Sequence, residues 1–435
     1  MKLTRVSVLV SLFLFSPSPL NSRNEVLIKI ERIMIIKSLL ENDVYKWNMS
    51  YAIMKTYPFA ETVFKFKDRK NETFDQDFVD QFNLEVESLC ALRLKPEEKK
   101  FLVSKFYWIP KYFFDWYENF KFDSSNLKVW LDEDKHFCVE SRGLAYENEF
   151  WEVPLLAIFS ELRTRYRGFD KKFNRSEALE ILNDQIALSN ENQLYFSEFG
   201  LRRRFSGAVQ DMVDKVLVEN SKYFVGNSNV YMAFKYGTAI SGTQAHSWIM
   251  LNNAFTGYRL GNYHAMKNWN DTFGGSNGIF LVDTIGIDQF LNNLPQLYAK
   301  AADGFRWDSG TWESFTSKII ARLVELRVDP LTKTLVYSDS INMQKFLDIH
   351  RNVRGRVGHV AAGIGGALTN NTGVENASPQ VVMKLSEARI NRNSPWIHCV
   401  KCPDTEGKYM GDPNEVELCL RTIGRDDELV HLELK

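Results

Sequence analysis

The sequence predicts an α/β barrel that packs closely against a smaller α+β domain. From about residue 220 onward, short apolar runs alternate with helical patterns about seven times, and such βα repeats are typical of a parallel sheet that closes on itself. Residues 39–166 mix strand and helix patterns, which favours antiparallel strands. No low-complexity linker separates the two regions, and 435 residues with 44% hydrophobic content suffice for about two to three domains.

The N-terminal region carries several local signals. Residues 62–67 alternate so that Phe64 and Phe66 share one face, as in a half-buried strand. Residues 129–139 read as two short strands around a polar turn, which predicts a hairpin. After Pro154, apolar residues keep helical spacing as far as Leu162. The aromatic-rich segment 106–120 is interpreted as core or interface rather than as a sugar-binding surface.

In the C-terminal region, strand candidates and helices alternate. Ser206 is the predicted N-cap of a helix that carries Val209 and Val213 on its apolar face. The strand candidates begin near Tyr223, Thr238, Gly278, Gly304, Thr334, Arg356 and Gln380. The helices between them are predicted at residues 229–236, 247–255, 288–301, 312–326 and 342–350.

Composition excludes two classes of partner. The chain has 54 Lys and Arg against 55 Asp and Glu, a net charge of −1 without long blocks of one sign, so neither nucleic acid nor a membrane surface is expected as a partner. Five cysteines, an odd number, fit a reducing compartment and a cytoplasmic location. Cys399 and Cys402 form a CxxC, but few further ligands lie nearby, so no zinc site is expected.

The first 33 residues have the charge and length of a signal peptide, but they lack a clear cleavage site. Met34 offers a second possible start. We predict that residues 1–33 are a signal-like or mis-initiated extension that the native protein lacks. N-terminal sequencing that begins before Met34 would overturn this prediction.

The residues expected to carry chemistry lie where the barrel strands end, because the working groups of a βα barrel gather at that face. At one junction, the Gly242-Thr243 turn leads into a helix that begins beside His246. Free N–H groups at a helix start favour an anion, and an imidazole can hold, accept or pass a phosphoryl group. Residues 338–339 and 363–366 predict a pair of phosphate-binding loops.

Two other junctions offer groups for a phosphorylated sugar and a flat anionic ring. Arg306 and Asp308 lie on one face of a strand at period two, so both can face the barrel mouth. Arg202 follows Phe199-Gly200 and offers a forked cation beside an aromatic ring.

An ordered set of motifs spans about residues 39–413 without a break. The motifs are NDVYKWNM (42–49) with Tyr57-Pro58, SEFGLRRR (197–204), GNSNVYMA (226–233), GTQAHSW (242–248), LVDTIGIDQFL (281–291), FRWDSG (305–310), YSDS (337–340), GIGGALTNN (363–371) and VMKLSE (382–387). Each motif alone is modest, but the ordered set is specific. It resembles the nicotinate phosphoribosyltransferase family.

The resemblance implies a type II phosphoribosyltransferase fold, in which an irregular seven-stranded α/β barrel packs against an α/β sandwich domain. The expected division of the chain is an extension (1–33), the sandwich domain (34–165), the barrel (166–395) and a C-terminal segment that packs on the sandwich domain (396–435).

The implied reaction joins nicotinate to phosphoribosyl pyrophosphate and gives nicotinate mononucleotide and pyrophosphate, the first step of NAD salvage from nicotinate. ATP is hydrolysed alongside, as in a ligase-class enzyme, and Mg²⁺ is carried by the pyrophosphate or by ATP. In the family, the histidine that matches His246 is phosphorylated by ATP. A phosphoryl group adds about −1.5 to −2 charge and strong hydrogen-bond acceptors.

The resemblance also assigns roles to individual residues. His246, Arg306 and Asp308 are the catalytic residues; Arg306 also holds the pyridine ring with Phe199, and Asp308 binds the ribose hydroxyls. Tyr45 is expected to reach in from the partner of a homodimer whose sites lie at the interface. The other substrate-binding residues are Leu201, Arg202, Thr243, Ser247 and Asp283. The phosphate-binding residues are Ser338, Asp339, Gly363, Gly365 and Gly366.

Three alternatives stay open at this point. A nicotinamide phosphoribosyltransferase shares the fold and much of the site, although the GTQAHSW form is closer to the nicotinate branch. A non-catalytic relative would bind nucleotide or ribose phosphate for regulation. A secreted glycan hydrolase would place paired acids at the strand ends, where this chain has arginines, glycines and single aspartates.

The chain departs from the family pattern at two of these junctions. It has Gly365-Gly366-Ala367-Leu368 where many relatives carry Gly-Thr-Xaa-Leu, so a threonine contact to phosphate is missing. It has Trp307-Asp308-Ser309-Gly310-Thr311 where His-Asp-Ser-Gly-Asp is common, so a second acid for Mg²⁺ or ribose is missing.

Overall fold

The computed structural model describes residues 34–405 and 408–431. The prediction made for residues 1–33 lies outside the described residues. Two sheets organise this part of the chain, one with five strands and one with seven. No helix in the described ranges combines the length and the apolar character that a membrane span requires. The predicted α/β architecture, a barrel-like parallel sheet beside a second domain, is confirmed.

The five-stranded sheet is antiparallel and contains the predicted N-terminal strands. Its strands are β1 (Glu61–Asp68), β2 (Leu127–Leu131), β3 (Phe137–Leu144), β11 (Val381–Arg389) and β12 (Ile397–His398). The strand order is β12-β11-β1-β3-β2. The strand predicted at residues 62–67 and the hairpin at 129–139 are therefore confirmed. The hairpin turn closes because the Asp132 carboxylate accepts backbone N–H groups from Asp134 and His136.

The seven-stranded sheet is parallel throughout. Its strands are β4 (Tyr195–Glu198), β5 (Phe224–Asn227), β6 (Ala239–Ile240), β7 (Ile279–Leu281), β8 (Gly304–Trp307), β9 (Thr334–Tyr337) and β10 (His359–Ile364). The order is β6-β5-β4-β10-β9-β8-β7. The sheet curls so that the edge strands β6 and β7 approach each other, and the Thr243 hydroxyl donates to the Ile279 carbonyl across the gap at 2.7 Å.

The helices follow the sequence pattern closely. Those before the barrel are α1 (Val44–Thr56), α2 (Gln76–Ala91), α3 (Pro96–Lys105), α4 (Lys111–Tyr117), α5 (Ala145–Asn148), α6 (Glu152–Tyr166) and α7 (Arg175–Asn192). The later ones are α8 (Gly207–Asn220), α9 (Val230–Tyr236), α10 (His246–Thr256), α11 (Gly261–Phe273), α12 (Ile287–Asn292), α13 (Gln296–Ala301), α14 (Trp312–Glu325), α15 (Met343–Val353), α16 (Gly366–Thr369) and α17 (Pro413–Ile423). Short 3₁₀ helices lie at Ser124–Asn126, Glu149–Trp151, Asp170–Lys172, Leu201–Arg203, Pro330–Thr332 and Asp426–His431.

Two predicted strand and helix assignments are wrong. The strand near Gln380 is not part of the barrel, because β11 pairs antiparallel with β1. The seventh barrel strand is instead β4, whose sequence Tyr-Phe-Ser-Glu lacks an apolar run. The helix predicted at 288–301 is two helices, because Pro295 lacks a backbone N–H and ends the first one. The predicted domain boundaries stay predictions.

The aromatic-rich segment is mostly core, as predicted. Phe106, Phe113 and Tyr117 are fully buried, and the Tyr117 ring meets Trp47 of α1 edge to face at 5.8 Å between centroids. Helix α1 is buried over its first ten residues, Val44–Ile53, and it contacts α11 beside the barrel. This apolar packing joins the two sheets and holds the start of α1 next to the barrel mouth.

The Ser206 prediction is also confirmed. Its side-chain oxygen accepts the backbone N–H of Val209 at 3.2 Å, which satisfies a free donor of the first turn of α8. Val209 and Val213 on that helix are buried, whereas Met212 and Val216 are half-buried.

Candidate active site

A cleft of about 500 Å³ lies at the carboxyl ends of the barrel strands, which is where a βα barrel places its working groups. The antiparallel sheet forms its opposite wall through β1 and β11. The predicted residues that line the cleft are Tyr45, Phe199, Arg202, His246, Ser247, Arg306, Asp308, Ser338, Asp339, Gly363, Gly365 and Gly366. Motifs from distant parts of the sequence therefore meet in one cavity.

His246 is the first residue of α10, and its ring is held from two sides. Nδ1 lies 2.9 Å from the Thr284 hydroxyl, which can donate or accept. Nε2 lies 3.0 Å from Asp308 Oδ2 and 2.8 Å from Lys401 Nζ. Burial and the charge of Lys401 lower the pKa of His246 well below its usual value. The ring is therefore neutral at pH 7, and one of its nitrogens carries the lone pair that a nucleophile needs.

Asp308 follows strand β8 and is fixed at both carboxylate oxygens. Oδ1 accepts the Ser338 hydroxyl at 2.9 Å, and Oδ2 faces His246. Burial alone would raise the pKa of Asp308, but contact with His246 and the charges of Arg306 and Lys401 hold it well below its usual value. Asp308 is therefore an ionised acceptor, suited to hydroxyl groups or to a developing positive charge.

Arg306 points toward the segment that leads to His246. Its Nη1 donates to the Gln244 carbonyl at 3.0 Å, whereas its buried Nε has no hydrogen-bond partner among the described residues. A planar guanidinium with an unused donor can stack on a ring and bind a carboxylate. This geometry suits the predicted role at a flat anionic ligand.

Phe199 forms an aromatic wall that depends on the absence of a side chain at Gly363. A Cβ on Gly363 would lie 2.5 Å from Phe199 Cδ2 and 2.6 Å from Cε2. Real Cβ atoms do not come so close, so the ring could not stay where it is. Gly363 therefore contributes to the site by letting the Phe199 ring lie across strand β10.

Replacing Gly363 by alanine is expected to displace the Phe199 ring, because the two atoms cannot share the space. We expect the KM for the aromatic substrate to rise about tenfold, with a smaller change in kcat, since a misplaced wall weakens binding. Steady-state kinetics measure both constants. The matched control is Gly143→Ala on β3, where the new Cβ has no neighbour closer than 3.8 Å. Equal kinetics in the two variants would contradict the role of the ring.

Arg202 is surrounded by acidic and aromatic groups. Its guanidinium lies 3.4 Å from Asp43 and 3.6 Å from Glu152, and its Cζ atom is 5.8 Å from the Tyr45 ring centroid. Its side chain keeps 36% exposure toward the cleft. These contacts hold a cation at the cleft wall, where it can meet a phosphate.

The expectation that Tyr45 reaches in from a partner subunit stays a prediction. Tyr45 is buried in α1 of its own chain, and its ring lies against its own Arg202. Because the surrounding helix is itself core, this side chain lines the cleft of the same chain.

Three predicted residues do not line the cleft. Leu201 is fully buried in the core, because its side chain leaves the Leu201–Arg203 turn on the opposite side from Arg202. The Thr243 hydroxyl is used in bridging the barrel edge to Ile279. Asp283 lies behind the site and accepts a hydrogen bond from Ser309. A direct substrate contact through the side chains of Leu201 or Thr243 is therefore not what this structure shows.

For several basic residues that line the cleft, the sequence predicts no role. They are Arg69, Arg203, Lys384, Lys401 and Lys408. Lys384 lies in the VMKLSE motif, which was a usable signal, but its strand belongs to the other sheet. Lys401 lies between Cys399 and Cys402, and all five cysteines of the chain are free thiols. With Arg202 and Arg306, seven basic side chains line the cleft against the four carboxylates of Asp43, Glu152, Asp308 and Asp339. This excess of basic groups suits a ligand with several phosphates.

Binding of a polyphosphate ligand should protonate Lys384. Burial and the charges of Lys401 and Arg202 lower the pKa of Lys384 to about 7, so most of these amines are neutral at about pH 8. A bound anion favours the charged form and raises the pKa, so binding at about pH 8 should take up about one proton. Titration calorimetry in buffers of different ionisation enthalpy measures that number. In Lys384→Met the uptake should vanish, and unchanged uptake would assign it to another group.

One group of potential metal ligands stands out among residues 34–405 and 408–431. The ligand atoms of His246, Asp283 and Asp308 lie within 4.8 Å of one another. Oδ1 of Asp283 is buried without a hydrogen-bond partner, and burial raises the pKa of this carboxyl to about 6. A buried carboxylate oxygen of this kind fits a hard divalent cation such as Mg²⁺, which prefers oxygen ligands.

Fold and site together define a barrel enzyme that handles a phosphorylated ligand and an aromatic ring at the ends of its parallel strands. Comparisons with known proteins agree. Residues 194–418 match the nicotinate phosphoribosyltransferase family, and residues 40–160 match the N-terminal domain of that family. The chain belongs to the nicotinate phosphoribosyltransferase family.

Similar proteins cover nearly all of the described chain. A nicotinate phosphoribosyltransferase from Desulforapulum autotrophicum is 33% identical over 90% of this chain and 100% of its own length. The crystal structure of nicotinate phosphoribosyltransferase from Porphyromonas gingivalis has a TM-score of 0.88 and 36% identity, over 90% of this chain and 100% of that one. The structure of the Vibrio cholerae enzyme has a TM-score of 0.83 and 28% identity, over 90% and 94%.

Proposed function

We propose that the protein transfers the ribose 5-phosphate group of phosphoribosyl pyrophosphate to nicotinate, giving nicotinate mononucleotide and pyrophosphate. One observation carries the proposal: a single cleft joins an aromatic wall, a forked cation, an ionised carboxylate and the predicted phosphate loops. Family membership supports the same reaction. The product would enter NAD salvage from nicotinate.

The aromatic ring of nicotinate suits the space beside Phe199. A pyridine face can stack on the phenyl ring, and the guanidinium of Arg306 can lie on the other face or bind the carboxylate. The unused buried Nε of Arg306 supports this role, because a bound anion would satisfy it.

Asp308 suits the ribose. As an ionised acceptor fixed by Ser338, it can bind hydroxyl groups without reorganising. The transfer passes through an oxocarbenium-like state while the ring nitrogen attacks the anomeric carbon and pyrophosphate departs. The protein mainly orients the two substrates and stabilises charge. Ser338, Asp339, Gly365 and Gly366 also line the cleft and would hold the 5′-phosphate.

The proposal includes ATP as a co-substrate, which would make the enzyme ligase-class. His246 is neutral, and it begins α10, an 11-residue helix whose start favours negative charge. Such an imidazole can take the γ-phosphoryl group of ATP and later release it to water. A phosphorylated His246 would add negative charge among Lys401, Arg306 and Lys384 and could reorder these cations.

Mg²⁺ is part of the proposal and would be held by the carboxylates of Asp283 and Asp308 together with substrate phosphates. The unpartnered Oδ1 of Asp283 supports this assignment. When bound, the ion supplies positive charge that stabilises departing pyrophosphate.

We further propose a homodimer and a cytoplasmic location. The dimer with sites at its interface rests on the family resemblance, and analytical ultracentrifugation measures it. Five free cysteine thiols support a reducing compartment.

The choice between nicotinate and nicotinamide as substrate separates this proposal from the alternative of a nicotinamide phosphoribosyltransferase. We expect nicotinate to be turned over and nicotinamide to be a poor substrate, because Arg306 can pair with a carboxylate and not with a neutral amide. Initial rates with each base at equal concentration measure the preference. Turnover of nicotinamide alone would assign the chain to the nicotinamide branch, and turnover of neither base would favour the non-catalytic relative.

A further inference from the structure

The contact between Lys401 and His246 is not explained by stability of the fold. Both side chains are buried, and Lys401 Nζ lies 2.8 Å from His246 Nε2. A buried ammonium is normally paired with a carboxylate, because burial of an unpaired charge is costly. Within the described ranges, no carboxylate oxygen lies within 4.0 Å of this ammonium. The lysine therefore keeps a strong donor beside the imidazole at an energetic cost.

Backbone hydrogen bonds fix the segment that carries Lys401 relative to the residues around His246. Lys401 and Met410 exchange both of their backbone hydrogen bonds, each at 2.9 Å, which forms a small bridge. The N–H of Cys402 donates to the Thr284 carbonyl at 2.9 Å. Thr284 also binds the His246 ring through its hydroxyl. One residue thus positions both the imidazole and the chain segment that presents the lysine.

Without Lys401, the charges next to His246 would not favour a bound phosphoryl group. Asp308 Oδ2 is 3.0 Å from Nε2 and would repel phosphoryl oxygens. An added phosphoryl group carries about −1.5 to −2 charge. Lysine is a compact cation with three donors, a form suited to phosphate oxygens. Lys401 is the cation in direct contact with the ring.

We infer that Lys401 is a catalytic residue of the ATP-linked step, in which its ammonium binds the phosphoryl group as this group passes to and from His246. This inference rests on the proposed function. A ring nitrogen forms a bond to the γ-phosphorus, the bond from that phosphorus to the bridging oxygen breaks, and ADP leaves with the electron pair. The proton on the other ring nitrogen stays in place. Water later attacks the phosphorus, the N–P bond breaks, and inorganic phosphate leaves.

The test uses the full chain and follows acid-labile phosphate transferred from γ-labelled ATP to His246. Lys401→Met keeps the length of the side chain but removes the charge, so the phosphorylation rate should fall about 100-fold. Lys401→Arg keeps the charge and should stay within about tenfold of the unmodified chain. The control is Cys402→Ala, which changes the packing next to Lys401 at a residue that is also buried, without a change of charge. In this variant His246 should be phosphorylated at the unmodified rate. If Lys401→Met does not fold, Lys401→Gln takes its place with the same expectation.

A second readout distinguishes a chemical role from a structural one. In a His246→Ala background, Lys401→Met should lower the rate of nicotinate mononucleotide synthesis by a much smaller factor than in the unmodified chain, because the two residues act in one step. An equal loss in both backgrounds would show that Lys401 only supports the fold and would overturn the inference. Phosphorylation of His246 at the unmodified rate in Lys401→Met would overturn this inference but leave the proposed function intact. An unmodified enzyme that makes product without labelling His246 would remove the ATP proposal and this inference together.

Discussion

Replacement of Asp308 by asparagine is expected to lower kcat/KM about 100- to 1,000-fold. The variant keeps the size and the Ser338 contact but loses the negative charge, which the structure maintains by surrounding the carboxylate with Arg306, Lys401 and His246. Loss of one preorganised charge at a reacting centre has effects of this order. The measurement is the steady-state rate of nicotinate mononucleotide formation as a function of both substrates.

The control for this variant is Asp134→Asn, which removes an exposed carboxylate from the hairpin turn of the other sheet. It should leave kcat/KM unchanged. If Asp308→Asn stays within about threefold of the unmodified enzyme, the carboxylate has no part in stabilising the transition state.

Replacement of His246 by alanine is expected to abolish the stimulation of the reaction by ATP. The imidazole is the proposed phosphoryl acceptor, and no other histidine is among the residues that line the cleft. Synthesis without ATP should continue at a low rate, because the ring and ribose contacts remain. The rates with and without ATP measure the effect, and acid-labile label on the protein reports the phosphohistidine directly.

His359→Ala is the matched control, since His359 is exposed at the start of β10 and outside the cleft. It should respond to ATP like the unmodified chain. Unchanged ATP stimulation in His246→Ala would remove the phosphohistidine from the account, although the transferase reaction itself would stand.

The strand-end residues could be predicted from sequence because the fold gathers them. In a parallel barrel, every strand delivers its carboxyl end to the same face. The sequence therefore predicts that residues as distant as Phe199, His246, Arg306 and Gly363 lie together, and the cleft contains all of them. The local strand pattern is enough to predict this grouping, because the parallel sheet places the ends of all its strands on one face.

The lysines could not be predicted in the same way. Lys384 enters the cleft from the antiparallel sheet, and Lys401 enters from the C-terminal segment that crosses from β12 to the barrel at Thr284. No periodicity in either segment indicates that contact, because it depends on how the two sheets pack. The cysteines that flank Lys401 form a CxxC motif, which is typical of metal binding, whereas the contact with His246 is made by the lysine between them.

Neighbouring residues in one motif also diverged. The motif predicts that Leu201 and Arg202 both bind substrate, but the 3₁₀ turn directs the Leu201 side chain into the core and the Arg202 side chain into the cleft. Apolar packing of α1 fixes Tyr45 beside Arg202 of the same chain, a contact that the motif alone does not indicate. Sequence motifs located the right segments, and side-chain direction required the packed structure.

The most direct test of the account is product formation by the purified chain. The protein is incubated with nicotinate, phosphoribosyl pyrophosphate and Mg²⁺, with and without ATP, and the mixture is analysed for nicotinate mononucleotide. The account predicts nicotinate mononucleotide and pyrophosphate in equal amounts, formed faster when ATP is present. Absence of nicotinate mononucleotide under both conditions would contradict it.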